Sequence, residues 1–121
     1  MEWESTADLD IYVVNKDSNE MISYKKTVSG DRNTKLDVDN RGGEQGTHLE
    51  NISFNGDAGG NFVVYVNNHD SKSDTTEIPF TVLTKLGNHS EGFHSSWNIN
   101  EMGDHRDGNL DKMMKMTTVN I

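Results

Sequence analysis

Apolar and polar residues alternate strictly along DLDIYVV, which spans residues 8–14. One face of the extended chain is apolar: Leu9, Ile11 and Val13. The other face begins with two acids and continues with an aromatic residue: Asp8, Asp10 and Tyr12. This alternation predicts a half-buried strand. The two carboxylates point the same way at close range, which is unfavourable unless solvent or a cation separates their charges.

Similar apolar runs follow, separated by turns rich in Gly, Asn and Asp. They predict strands at 21–25, 36–38, 48–55, 61–67, 77–86, 87–99 and 112–121. The 61–67 run is the most continuous and predicts a central strand, whereas Pro79 predicts an edge position or a bulge. We therefore expect an all-β chain with little or no helix. Eight or nine strands would form one antiparallel β-sandwich domain over residues 1–121, of jelly-roll or immunoglobulin-like shape.

The segment LDVDN repeats the acidic alternation of the first strand. Its apolar residues, Leu36 and Val38, are predicted to face inward, and Asp37 and Asp39 outward. Asn40 and a glycine turn follow. Further on, strict alternation would place Glu50 on the same face as the core-facing Ile52 and Phe54. A charged side chain on that face requires a bulge, a twist at a strand start or a metal.

Composition narrows the possible partners. Acidic residues outnumber basic ones by 20 to 11, which gives a formal charge of −9 and disfavours nucleic acids and anionic membranes. No cysteine is present, so disulfides, zinc–thiolate sites and thiol catalysis are excluded, while the compartment stays open. No apolar run approaches the ~18 residues of a membrane span, and no signal core is visible, so the chain as given is expected to be soluble.

The paired acids predict a calcium site, because calcium prefers six to eight oxygen ligands from carboxylates, amides, backbone and water. The candidate ligands are Asp8, Asp10, Asp37, Asp39, Asn40 and Glu50. An EF-hand is excluded, since Arg41 and His48 occupy ligand positions of that pattern. The 36–54 stretch is therefore half a site, and the strand with Asp8 and Asp10 is the predicted other half.

Six short motifs occur in a fixed order: WESTADLDIYVV, LDVDNRGG, ENISF, GGNFVVYVNN, IPFTV and SSW. In this order they resemble the bacterial YfaP-like domain of unknown function, over roughly residues 3–97. A fainter similarity links the acidic strand and loop to the calcium-binding TerD tellurite-resistance domain. These resemblances imply a β-sandwich with calcium at the candidate ligands. The chain departs from the YfaP-like pattern at His48 and Leu49, where that pattern has Gly-Pro.

Three other groups of residues are weaker candidates for a binding site. His89 and His94 could bind a transition metal, but the histidines otherwise lie scattered in loops. A second cation could bind in the loop that contains Asp104, Asp107, Asn109 and Asp111, although a solvated polar loop explains the same residues. A sugar-stacking platform would use aromatic residues that core packing explains equally well: Trp3, Tyr12, Tyr24, Tyr65 and Trp97.

We therefore expect a non-enzymatic module in which calcium orders neighbouring loops and the surface binds a protein or glycan partner. The alternative is a self-assembling structural subunit of a viral or cell-surface particle. A hydrolase that uses the acidic cluster is a third hypothesis. No activated nucleophile or general base accompanies the acids, which favours the structural role.

Overall fold

The computed structural model describes residues 1–40, 42–43, 46–55, 58–72, 77–86 and 89–121. The ten strands are β1 (Glu2–Glu4), β2 (Asp8–Asn15), β3 (Met21–Ile22), β4 (Thr34–Val38), β5 (Thr47–Leu49), β6 (Asn51–Phe54), β7 (Asn61–Asp70), β8 (Glu77–Leu86), β9 (His89–Asn98) and β10 (Met114–Asn120). A four-residue helix, α1 (Ile99–Met102), and a 3-10 turn at Leu110–Lys112 lie before β10.

The strands form three antiparallel sheets, with orders β5-β1-β8-β9, β10-β7-β2-β3 and β4-β6. All three sheets contribute side chains to one hydrophobic cluster, for example Trp97, Leu9 and Leu36. The prediction of an all-β antiparallel fold with little helix is confirmed, as is the inner position of β7. The jelly-roll or immunoglobulin-like shape stays a prediction.

The predicted count of eight or nine strands is too low by at least one. Residues Glu2–Glu4 pair with both β5 and β8, although three residues are too few to show a period in the sequence. The predicted 48–55 strand is two strands, because the chain leaves the first sheet and enters the third at Glu50.

The prediction that the DLD strand is half-buried is wrong, because both faces of β2 are buried. Leu9, Ile11 and Val13 enter the hydrophobic cluster as predicted. On the opposite face, the Tyr24 ring contacts Tyr12 edge-on, and Gly108 lies close to the Tyr12 hydroxyl. The acids of this strand therefore lie inside the protein rather than in solvent.

The edge position predicted from Pro79 is also wrong, because β8 lies between β1 and β9. The pairing with β1 covers only Phe80 and Thr81, whereas the pairing with β9 covers the whole strand. At Pro79 the strand thus has an assigned pair on the β9 side alone, which is how an inner strand accommodates a residue that lacks a backbone N–H.

Val38 was predicted to face inward, and this is wrong: its side chain is 46% exposed. Leu36 pairs with Ile52, but Val38 pairs with Asn51, so the register shifts at Asp37. An extra residue in one strand reverses the alternation that follows it. Among the described residues, no helix has the length and apolar character needed to cross a membrane.

Candidate metal centre

Three carboxylates from separate parts of the chain converge at one edge of the second sheet. Asp10 lies on β2, Asp39 directly follows β4, and Glu50 separates β5 from β6. One carboxylate oxygen from each lies within 4.8 Å of the other two. Asp10 and Glu50 are each only 2% exposed, whereas Asp39 is exposed. The centre therefore has a buried floor and one side open to solvent.

Glu50 is fixed through both its backbone and its side chain. Its N–H donates to the Met1 carbonyl (3.0 Å), which continues the pairing of β5 with β1. Its Oε2 accepts a hydrogen bond from the Ile11 N–H (2.7 Å). The short β3 pairs with β2 only at Val13 and Val14, so at Ile11 the Glu50 carboxylate occupies the place of a neighbouring strand.

The bulge at Asp37 accounts for the position of Asp39. Val38 pairs with Asn51 in the last register position of the β4–β6 ladder. One step further along an antiparallel pair, Asp39 falls opposite Glu50. Without the extra residue, Asp39 would share a face with Asp37 and point away from Glu50. The bulge thus turns one of the two loop aspartates toward the buried carboxylates.

The glycine turn holds this loop against the chain that leads into β2. Gly42 has φ +66°, and a Cβ atom there would lie 2.3 Å from the Ala7 carbonyl oxygen. The Gly43 N–H donates to the Thr6 carbonyl at 2.7 Å. Only glycine permits both this backbone conformation and this close approach. The two halves of the site predicted from the sequence are therefore adjacent in the fold.

Two oxygens of the centre receive no hydrogen bond from a described N–H or hydroxyl group, and the carboxyl groups can hydrogen-bond one another only while they hold a proton. Asp10 Oδ2 and Glu50 Oε1 are buried and have no hydrogen-bond partner among the described residues. The His69 ring nitrogen Nδ1 lies 3.8 Å from Asp10 Oδ2, too far for a hydrogen bond. Burial and then the Arg106 charge lower the pKa of His69, so the ring does not supply a cation at neutral pH.

The electrostatics of the centre favour a bound positive charge. Burial raises the pKa of the Asp10 carboxyl, and the charges of Asp8 and Asp39 raise it further. Burial and then the Asp10 charge raise the pKa of Glu50, despite the opposing hydrogen bond from Ile11. Buried carboxylates in mutual contact resist full ionisation. Without another cation, the cluster therefore retains protons that a divalent ion could replace.

The other predicted ligands lie outside this group of three. Asp8 is buried on the same strand and acts on Asp10 through its charge. Asp37 accepts a hydrogen bond from Asn51 Nδ2 (2.9 Å) and lies 3.9 Å from Lys35 Nζ. Asn40 Oδ1 accepts the Gly42 N–H (2.9 Å), so its side chain stabilises the glycine turn.

The structure adds no support for the histidine site or for the sugar-stacking platform. His94 is exposed and its Nδ1 lies 2.9 Å from Thr81 Oγ1, while the side chain of His89 lies outside the described part of the chain. The aromatic residues do not form a surface platform, because three of them are fully buried: Trp3, Tyr12 and Trp97. They pack the interior instead.

The loop that begins at Asp104 uses its polar oxygens to accept backbone N–H groups. Asp104 Oδ2 accepts the Ser71 N–H (3.4 Å). Asp107 Oδ1 accepts the Asn109 N–H, and Asn109 Oδ1 accepts the Asp111 N–H. The last two are local turn and cap interactions, whereas the first connects the loop to the residue after β7. They leave the second cation without structural support.

Sequence reasoning missed one residue beside the centre. Asn67 pairs directly with Asp10 across β2 and β7, and its side chain is completely buried. The signal was available: an Asn at the end of the apolar run NFVVYVN falls where a buried strand continues, and buried amides require partners.

Comparisons with protein-family models, with curated proteins and with solved structures found no match. The YfaP-like and TerD-like resemblances stay predictions.

Proposed function

We propose that this chain is a calcium-binding β-sandwich module in which the ion joins the loop after β4 to β2 and to the start of β6. The observation that carries the proposal is the convergence of Asp10, Asp39 and Glu50 within 4.8 Å. Two of these carboxylates each bury an oxygen that has no hydrogen-bond partner among the described residues. An unpaired buried acceptor is costly, and a cation would remove that cost.

Calcium is the cation that the donor atoms favour. All three side chains offer carboxylate oxygens, and among the described residues no imidazole or thiol belongs to the set of donor atoms that lie within 4.8 Å of one another. Calcium accepts irregular oxygen geometry and completes its shell with backbone and water, whereas magnesium demands a near-ideal octahedron. The exposed Asp39 side leaves room for water ligands.

The proposed role of the ion is structural rather than catalytic. A catalytic centre must admit a substrate, but Asp10 and Glu50 are almost entirely inside the protein. Asp10 lies on β2 of the second sheet, whereas Glu50 lies in the chain between β5 of the first sheet and β6 of the third, so an ion bound to both would restrain the relative position of those sheets. That arrangement suits an ion that orders loops.

The proposal extends to a partner-binding surface for a protein or a glycan. Two exposed apolar side chains directly precede metal-centre residues: Val38 (46% exposed) precedes Asp39, and Leu49 (52%) precedes Glu50. An ion that fixes Asp39 and Glu50 would also fix these two side chains. Exposed apolar residues of a small protein often serve binding.

Thermal unfolding with calcium or with a chelator tests the metal proposal. At free calcium 100 times the Kd we expect a stabilisation of about 2.7 kcal/mol. For a chain of this size this corresponds to a rise in Tm of about 10 °C. Glu50→Gln should remove this rise, because the amide keeps an acceptor for the Ile11 N–H but no longer supplies a charged ligand.

Asp107→Asn provides the matched control. It also removes one carboxylate, but from an exposed loop whose oxygens serve local turns. We expect this variant to retain the whole calcium-induced rise. An equal Tm with millimolar calcium and with chelator in the wild-type chain would contradict the proposal, as would an equal loss of response in both variants.

A further inference from the structure

Two neighbouring asparagines of β7 lie fully inside the protein. Asn67 and Asn68 are both 0% exposed, and both have an Oδ1 atom without a hydrogen-bond partner among the described residues. Both also use Nδ2 to hold the loop after α1. Asn67 Nδ2 donates to the His105 carbonyl (2.7 Å), and Asn68 Nδ2 donates to the Gly103 carbonyl (3.2 Å).

The two asparagines differ in the face of the sheet on which they lie. Asn67 is the register partner of Asp10, and Asn68 is the register partner of Leu9. Directly opposed residues of an antiparallel pair lie on the same face, with Cβ atoms about 5 Å apart. Asn67 therefore lies beside the Asp10 carboxylate, whereas Asn68 lies on the side of the hydrophobic cluster that contains Leu9.

The orientation of the Asn67 amide follows from its one hydrogen bond. If the oxygen and nitrogen were exchanged, two carbonyl oxygens would meet at 2.7 Å, which is repulsive. The donor thus points to His105, and the carbonyl oxygen Oδ1 is the group left without a partner. An amide carbonyl is one of the oxygen types that calcium accepts as a ligand.

We propose that Asn67 Oδ1 is a neutral fourth protein ligand of the calcium ion held by Asp10, Asp39 and Glu50. This inference rests on the proposed function and adds a ligand to it. Asn67 would complete the floor of the site from β7. The ion would then contact two adjacent strands of the second sheet as well as the third sheet.

Calcium titration by isothermal calorimetry tests the inference on the whole chain and two alanine variants. Asn67→Ala should weaken calcium binding by roughly tenfold or more, the size of effect found for residues that support metal sites. Asn68→Ala should leave the Kd within about twofold of the wild-type value, since it loses the same kind of loop contact on the opposite face. Equal Kd values for Asn67→Ala and the wild type would overturn the inference, and so would equal weakening in both variants.

A second pair of variants keeps the test decisive if Asn67→Ala fails to fold. Asn67→Asp places a charged oxygen at the proposed ligand position, so it should tighten calcium binding while lowering the Tm in chelator. Asn68→Asp adds the same charge on the other face and should not tighten binding. Tightening by Asn68→Asp that equals or exceeds that of Asn67→Asp would overturn the assignment.

These outcomes separate the inference from the function on which it rests. A wild-type chain that binds no calcium contradicts the proposed function itself. A wild-type chain that binds calcium, together with an unaffected Asn67→Ala, contradicts only the fourth ligand.

Discussion

The candidate metal centre and the loop at 104–111 are both acidic, but they use their oxygens differently. In the loop, Asp104 and Asp107 accept backbone N–H groups from nearby residues. In the centre, Asp10 and Glu50 each bury an oxygen that no described group satisfies. Acidity alone therefore does not distinguish a cation site from a turn. The distinction lies in whether the fold already supplies a partner for each oxygen.

The pKa values of the two regions move in opposite directions, each for its own physical cause. The Asn109 N–H and then the Lys112 charge lower the pKa of Asp107, which stays in solvent. Burial raises the pKa values of Asp10 and Glu50. The loop stabilises ionised carboxylates in contact with water. The buried carboxylates of the centre are stable only when protonated or when a cation balances their charge.

The largest expected effect is therefore on the pH dependence of the free energy of unfolding. With chelator present, the raised pKa values mean that the folded chain binds protons more tightly than the unfolded chain, so stability should fall as pH rises above the ordinary carboxyl range. One proton of difference corresponds to about 1.4 kcal/mol per pH unit, so we expect a loss of about 4 kcal/mol in the free energy of unfolding between pH 5 and pH 8. Urea unfolding at several pH values measures it.

Saturating calcium should flatten this pH profile, because the ion replaces the protons. The Asp10→Asn, Glu50→Gln double variant should flatten it even in chelator. An equal fall in stability with pH in calcium and in chelator would contradict calcium binding at the centre. If Asp107→Asn alone flattened the profile, the pH dependence would arise in the loop at 104–111 instead.

A smaller effect compares one glycine from each region. Gly42 and Gly103 have nearly the same φ, +66° and +65°, but a Cβ at Gly42 would collide with the Ala7 backbone, whereas at Gly103 it would meet open space. Both alanine variants bear the conformational strain. We expect Gly42→Ala to lower the free energy of unfolding by about 2 kcal/mol more than Gly103→Ala.

Denaturant unfolding in calcium measures this difference. Only Gly42→Ala should also weaken calcium binding, because it displaces the loop that carries Asp39. Similar stability and similar calcium affinity in both variants would show that the glycine turn does not position the centre.

The smallest expected effect separates Asp37, at the bulge in β4, from Asp39, which directly follows β4. Asp39→Asn removes a charge from the centre and should weaken calcium binding about tenfold, or about 1.4 kcal/mol. Asp37→Asn should change the Kd less than about twofold, because the bulge turns Asp37 toward Asn51 and Lys35. Calorimetric titration of both variants decides between them, and a larger effect at Asp37 would reverse this assignment.

Much of the fold follows from alternation in the sequence. The apolar residues Leu9, Ile11 and Val13 predict the core face of β2, and the run at 61–67 predicts an inner strand. The site is also partly predictable, since Asp10, Asp39 and Glu50 are all among the predicted ligands. Glu50 was expected to require a bulge, a twist at a strand start or a metal, and it lies immediately before β6.

Other features depend on contacts that local sequence does not encode. The bulge at Asp37 depends on how β4 and β6 pair, so the alternation in LDVDN misplaced Val38. The burial of the DLD strand depends on distant residues that cover it, such as Tyr24 and Gly108. Asn67 was missed because its register with Asp10 emerges only from strand pairing.

The position of Glu50 gives the proposed ion a further consequence. The chain has no cysteine, so no covalent cross-link shortens its unfolded state. An ion held by Asp10 and Glu50 would bridge residues about 40 positions apart, but it would leave on unfolding, so it would stabilise the folded chain by mass action rather than by constraining the unfolded chain. Unlike a disulfide, this cross-link would open and close with the calcium concentration around the protein. The stability of the folded chain would then depend on the calcium concentration of its surroundings.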